Sequence, residues 1–253
     1  MPRQARKMSS TGIYHIMLRG INKQSIFEDD EDKNKYLQTL DECKRLSNFK
    51  VYAYCFMDNH IHLLLKIEKE DLNQIFKRIG ARYVYWYNWK YKRSGHLFQD
   101  RFKSEVVEDE SYFLTVLRYI LQNPKKAGLC KNLEDYKWSS YSDYIEAKGI
   151  TDTEFALGIL SVDKDKQIDE FNKYVNEENE DKCLDIEEIK KRITDEELRD
   201  IIYQKFQIKP MMIQNEPRDK MESILKIILE IDGVSTRQLS RVTGVPTNII
   251  WKL

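Results

Sequence analysis

The chain has 253 residues, 41% of them hydrophobic and 11% aromatic, and its 42 Lys and Arg balance 42 Asp and Glu. That is enough apolar material for one domain of ordinary size and a smaller one, and no apolar run reaches the length needed to cross a bilayer. The four cysteines, at 43, 55, 130 and 183, have no CxxC spacing, which argues against a zinc cluster and for reduced thiols in a soluble cytoplasmic protein.

The predicted elements follow in chain order. Residues 12–20, GIYHIMLRG, alternate as a strand, and residues 30–48 carry Tyr36, Leu37, Leu40 and Leu46 at helical spacing. FKVYAYCFM and HIHLLLKIE read as two strands joined by a turn at Asp58 and Asn59. A helix runs from Asp71 to about Tyr91, LFQDRFKSEVV is strand-like, and DESYFLTVLRYILQN is a helix that stops at Asn123 before Pro124. The order β, α, β, β, α, β, α predicts an α+β domain over residues 1–150: a ferredoxin-like antiparallel sheet with helices packed on one face.

The charge is unevenly spread. Residues 1–150 hold 26 basic and 20 acidic side chains, residues 151–200 hold 8 and 17, and residues 201–253 hold 8 and 5. Residues 151–183 therefore read as an acidic linker with a short helical segment, and residues 184–253 as a smaller helical domain. With Thr236 as first position, Leu239, Ser240, Gly244, Val245, Ile250 and Leu253 fall at the spacing of a helix-turn-helix over 236–253. Its second helix would expose Thr247, Asn248 and Lys252 to a DNA groove, although an ordinary helical bundle has the same apolar spacing.

Two histidines stand out. His60 and His62 are two residues apart on a predicted strand, so their side chains leave one face about 7 Å apart. They are either satisfied core imidazoles or two ligands of one cation that needs a third. On the helix before Pro124, Tyr119 and Asn123 share one face a turn apart. Asn123 offers an amide oxygen to a hard cation; Tyr119 alone is equally a core aromatic.

GIYHIMLRG, VYAYCFMDNHIHLLL, GHLFQDRFKS, LRYILQNPKKAGL and DYKWSSY occur in the order seen in single-tyrosine transposases of the His-hydrophobic-His (HUH) class. Over residues 1 to 145 the chain resembles their REP-associated branch, bacterial proteins related to insertion-sequence-200-like transposases. The resemblance implies that His60 and His62 bind a divalent ion, that Asn123 completes its shell and that Tyr119 is the nucleophile. It implies Mg²⁺, with Mn²⁺ also suited to the donor set, and no organic cofactor. MDNH replaces a common proline-asparagine pair and NPKKA a common NPVRA; neither change touches these four residues.

The implied reaction is cutting and rejoining of single-stranded or hairpin DNA through a 5′-phosphotyrosine, by one chain or a homodimer, with no membrane involved and in the bacterial nucleoid. A phenol of pKa near 10 costs about 4 kcal/mol to ionise at neutral pH, so a Lewis acid at the phosphate has work to do. Two other readings are a DNA-binding regulator that keeps the fold, which an intact activity-independent effect of Tyr119→Phe would favour, and a metal-dependent phosphodiesterase, which would leave no covalent adduct. For DNA contact the basic and aromatic stretch 76–102 proposes Lys90, Lys92, Arg93 and Arg101, followed by Lys103, with Arg3 and Arg6 on an N-terminal arm. Tyr83, Trp86 and Tyr87 lie at helical spacing and are read as core.

Overall fold

A computed structural model describes residues 6–185, 193–231 and 233–251. It divides into two units, residues 1–185 and 186–253.

The first unit is built on four strands, β1 (Ile13–Arg19), β2 (Lys50–Met57), β3 (His60–Lys66) and β4 (Lys103–Val107). They form one antiparallel sheet in the order β2-β3-β1-β4. Helix α1 (Asp30–Ser47) lies between β1 and β2, and α2 (Leu72–Lys90) between β3 and β4, which is the ferredoxin-like order. Each helix starts where an aspartate can accept a backbone N–H: Asp29 from Asp32, Asp71 from Asn73, and Asp109 from Tyr112 at the start of α3 (Glu110–Lys126).

Strand alternation sorts the side chains into two layers. Tyr14, Ile16, Leu18, Ile61, Leu63 and Leu65 face α1 and α2, where they meet Tyr36, Leu40, Ile75, Ile79 and Tyr83. Ile13, Cys55, Leu64 and Val107 face the other way and pack against Phe113, Val116, Leu117 and Ile120 of α3. Helices thus cover one face as expected, and α3 covers the second, which is the face that carries the histidines.

α3 continues through Pro124 rather than ending at Asn123. A proline removes one donor, and here that loss falls in the last turn. The next bonds close around it: Ala127 N donates to Asn123 O at 2.9 Å and Leu129 N to Pro124 O at 2.9 Å. Asn123 therefore keeps helical register with Tyr119. The strand expected from Leu97 begins only at Lys103; before it, Phe98 makes a single bridge to Gly20.

The acidic stretch 151–183 differs from the expected linker. It follows α4 (Tyr141–Glu146) and supplies α5 (Glu154–Leu160) and α6 (Gln167–Asn176). Ala156, Leu157, Phe171 and Val175 enter the layer formed by α3, and the Phe171 ring stacks on Tyr144 at 4.3 Å. Arg118 of α3 pairs with Asp181 at 2.8 Å and Glu177 at 3.3 Å. Its negative charges point outward, so net charge hid an amphipathic helix.

The second unit contains α7 (Asp195–Phe206), α8 (Arg218–Leu229), α9 (Thr236–Thr243) and α10 (Thr247–Ile250). A Thr194–Glu197 capping box opens α7. Leu198, Ile202, Ile224, Leu225, Ile228, Leu239, Val242, Val245 and Ile250 form its core. Gly244 ends α9 at φ 77, and a Cβ there would lie 3.0 Å from Gln214 Oε1, so the turn needs glycine. α9 and the short α10 flank the turn at Gly244, and the end of the second helix expected over 236–253 lies outside the described residues.

Candidate active site

The floor of the site is a row across the sheet. Glu105 on β4 pairs directly with His15 on β1, and His15 pairs with Leu64 on β3, two residues along the same face from His62. His15 and His62 are fully buried, and their rings share a hydrogen bond, His15 Nε2 to His62 Nδ1, at 3.0 Å. His60, one step nearer the strand end, stands with its ring 5.1 Å from that of His62. Its Nδ1 bonds the Asn59 side-chain oxygen at 2.7 Å.

The roof is α3. Tyr119 is buried, with its ring 5.7 Å from His62 and 5.9 Å from His15, edge to face with both. Lys126, two turns on, holds its ammonium 5.7 Å from the Tyr119 ring centre. The structure thus brings His60, His62, Tyr119 and Asn123 together: the Asn123 amide interacts with His60 and with the Tyr119 phenol.

Among the described residues, three buried polar atoms here have no partner at hydrogen-bond distance: His15 Nδ1, His62 Nε2 and the Tyr119 hydroxyl. Burial dominates their electrostatics. It pushes the Tyr119 phenol far above its ordinary value, the Asp185 carboxylate adds to the rise, and Asn123 opposes it. Burial likewise lowers the pKa of His15, His60 and, most of all, His62, whose neighbours His15 and His60 lower it further. All three imidazoles are therefore neutral at pH 7 and carry a lone pair.

An orphaned, buried, neutral imidazole nitrogen facing a second imidazole and an amide is the environment of a metal ligand, so the residues fit a divalent ion held by His60, His62 and Asn123. Among the described residues no group of three His, Cys, Asp or Glu is arranged to hold a metal, and Asn123 is the further donor that would complete the set.

Sequence reading missed four neighbours. His15 and Glu105 extend the row. Arg19 is the cross-strand partner of His60, acts electrostatically on it and has a buried Nε with no hydrogen-bond partner among the described residues. Asp185 acts on His15, His60 and Tyr119. The histidine in GIYHIMLRG was the one available signal, since a polar residue amid Ile13, Tyr14, Ile16 and Met17 demands a partner.

The expected DNA contacts divide. Lys92 and Arg101 are exposed, as is Lys103 at the start of β4. Arg93 is half-buried, donating to His96 O at 3.0 Å. Lys90 is a correction: its ammonium lies within 2.9 Å of carboxylate oxygens of Asp29, Glu31 and the fully buried Asp32. It neutralises a buried charge and has no capacity left for a phosphate. Arg6 is not on a loose arm either; it donates to Asn73 Oδ1 at 2.5 Å and Phe102 O at 2.9 Å and covers the Phe102 ring. Thr247 and Asn248 are exposed. Arg3 and Lys252 lie outside the described residues. No helix of the described residues is long and apolar enough to cross a membrane.

Residues 8–123 match the family model described as "Transposase IS200 like". A curated relative, the putative REP-associated tyrosine transposase of Haemophilus influenzae, is 26% identical over 163 residues, 58% of this chain and 90% of its own length. A solved structure of a REP-associated tyrosine transposase bound to a REP hairpin superposes with TM-score 0.52 at 17% identity, covering 61% of this chain and 96% of that one. A putative transposase from Deinococcus radiodurans gives TM-score 0.35 at 14% identity, with 47% and 95% coverage.

Proposed function

We propose that this chain, whose residues 8–123 carry an insertion-sequence-200-like transposase domain, is a single-tyrosine DNA strand transferase acting on hairpin-bearing single strands. The observation that carries the reading is the convergence of the Tyr119 ring on His62 at 5.7 Å from separate elements of the fold. The named relative and the hairpin-bound neighbour support the substrate class.

In this reading Tyr119 Oη attacks the scissile phosphorus. An Oη–P bond forms, the P–O3′ bond breaks, and the upstream fragment leaves with a 3′-hydroxyl. The phenol loses its proton to solvent, against the opposition of burial and of Asp185, and solvent returns a proton to the departing 3′-oxygen. Arg19, opposite His60, holds the phosphate by its guanidinium. Neutral His60 and His62 with Asn123 would hold a divalent ion, Mg²⁺ or Mn²⁺, which when bound withdraws charge from a non-bridging phosphate oxygen. Because the phosphotyrosine conserves the bond, a second 3′-hydroxyl rejoins the strand by the reverse displacement. Lys92, Arg93, Arg101 and Lys103 are the basic contacts for the strand.

The test uses a hairpin oligonucleotide labelled at its 3′ end, because the downstream fragment stays on the enzyme. With Mn²⁺ or Mg²⁺ the label is expected to migrate with the protein in denaturing electrophoresis. Cleavage with no protein-bound label would establish hydrolysis instead.

A further inference from the structure

We propose that Glu105, acting through His15, sets the tautomer of His62 so that Nε2 carries its lone pair, which prewires the sheet as a cation ligand. The proposal rests on the reading of His62 as a ligand and makes His15 and Glu105 positioning residues.

The argument begins with the 3.0 Å contact between His15 Nε2 and His62 Nδ1. Two ring nitrogens at that distance need one N–H and one lone pair. Both rings are completely buried, which disfavours a charged imidazolium and leaves two neutral arrangements. In the first, His15 donates from Nε2. His62 then bears its proton on Nε2, where it cannot ligate, and His15 turns the bare lone pair of Nδ1 toward the Glu105 carboxylate, 3.9 Å away. In the second, His62 donates from Nδ1. Its Nε2 is then a free lone pair, and His15 presents Nδ1–H to Glu105.

A carboxylate repels a lone pair and attracts an N–H, so the second arrangement prevails. At 3.9 Å the interaction is charge with dipole rather than a hydrogen bond. Glu105 is held in place for it: Leu184 N donates to Oε2 at 3.1 Å, and the Tyr112 side chain interacts with the same carboxylate. The orphaned buried Nε2 of His62 is the output of the row.

The experiment records long-range ¹H–¹⁵N spectra of the histidine rings in the metal-free full chain and titrates Mn²⁺ by calorimetry. Wild type is expected to show His62 protonated at Nδ1 and bare at Nε2. Glu105 is 38% exposed, so Glu105→Leu removes the charge from a partly open position. It is expected to populate the Nε2–H tautomer and to weaken Mn²⁺ binding about 10- to 100-fold. Glu105→Gln keeps an oxygen dipole near His15 and loses the charge, so its affinity and tautomer ratio should fall between those of wild type and Glu105→Leu. A wild-type His62 protonated at Nε2 overturns the proposal without any variant. So does Glu105→Leu with unchanged tautomer and unchanged affinity. A wild type with the Nδ1–H tautomer that binds no Mn²⁺ supports the row and overturns the metal reading, so the two failures are distinguishable.

Discussion

Tyr119 and His62 meet edge to face, ring centres 5.7 Å apart, although one comes from the helix that follows β4 and the other from the middle of the sheet. Each carries a buried polar atom that has no hydrogen-bond partner among the described residues. Unsatisfied polar groups cost about 1–3 kcal/mol each when buried. Their coincidence is the signature of a site shaped for something other than its own stability.

For Tyr119→Phe the expected result is loss of the covalent adduct, by at least about a thousandfold, with the fold intact. Among the described residues the hydroxyl has no partner at hydrogen-bond distance, and its interactions with Asp185 and Asn123 are electrostatic, so removing it strands no short bond. Denaturing electrophoresis reads the adduct, and a urea titration should show stability unchanged or raised by up to about 1 kcal/mol.

His62→Ala should behave differently from His60→Ala. The first opens a cavity in the sheet and strands His15 Nε2, so it should cost about 2–4 kcal/mol in stability as well as Mn²⁺ binding. The second, at the strand end, should lose Mn²⁺ binding at a stability cost of about 1 kcal/mol or less. Calorimetric titration beside urea unfolding separates the two effects.

Acid should weaken the metal-free protein in a defined window. The pKa values of His15, His60 and His62 are lowered by burial, so below the ordinary value of 6.5 the unfolded chain binds protons that the folded chain refuses. Stability is full above 6.5 and falls as pH drops toward the folded values, with each imidazole contributing a slope of up to about 1.4 kcal/mol per pH unit. Urea midpoints between pH 7.5 and 5 check this. Phe171→Ala should not alter that slope.

The raised phenol pKa of Tyr119 predicts an adduct rate that climbs with pH. Burial and Asp185 both disfavour the phenolate, so its fraction at neutral pH is below that of free tyrosine. The initial rate at saturating Mn²⁺ should rise between pH 6.5 and 8.5 and should not level off below pH 8. A rate that is flat over this range would remove phenol ionisation from the limiting step.

Lys90→Gln should destabilise the first unit by about 3 kcal/mol, because the buried Asp32 carboxylate loses its cation. Its effect on hairpin affinity, measured by anisotropy on the folded fraction, should be smaller than that of Lys92→Ala. Phe171→Ala should cost about 3–5 kcal/mol, which a solvated connector would not show.

Local periodicity made the elements legible. The two-residue step from His60 to His62 and the four-residue step from Tyr119 to Asn123 follow from strand and helix geometry alone, and the motif order carried the resemblance to single-tyrosine transposases before any coordinates. Charge was the poorer guide. The acidic excess of 151–183 concealed Phe171 and Val175, and the basic run 90–93 concealed that Lys90 answers Asp32.

What lay beyond the sequence was every relationship across strands. Glu105, His15 and His62 form a row because β1 is the centre of the order β3-β1-β4 and because one register aligns His15 with both Glu105 and Leu64. A slip of a single residue would turn His15 to the opposite face. That register is decided by which apolar residues can be buried together over the whole sheet, a non-local condition that no local period contains. The sequence by itself determined His60, His62, Tyr119 and Asn123 as residue types at their spacings; the tertiary structure decided which groups stand behind them.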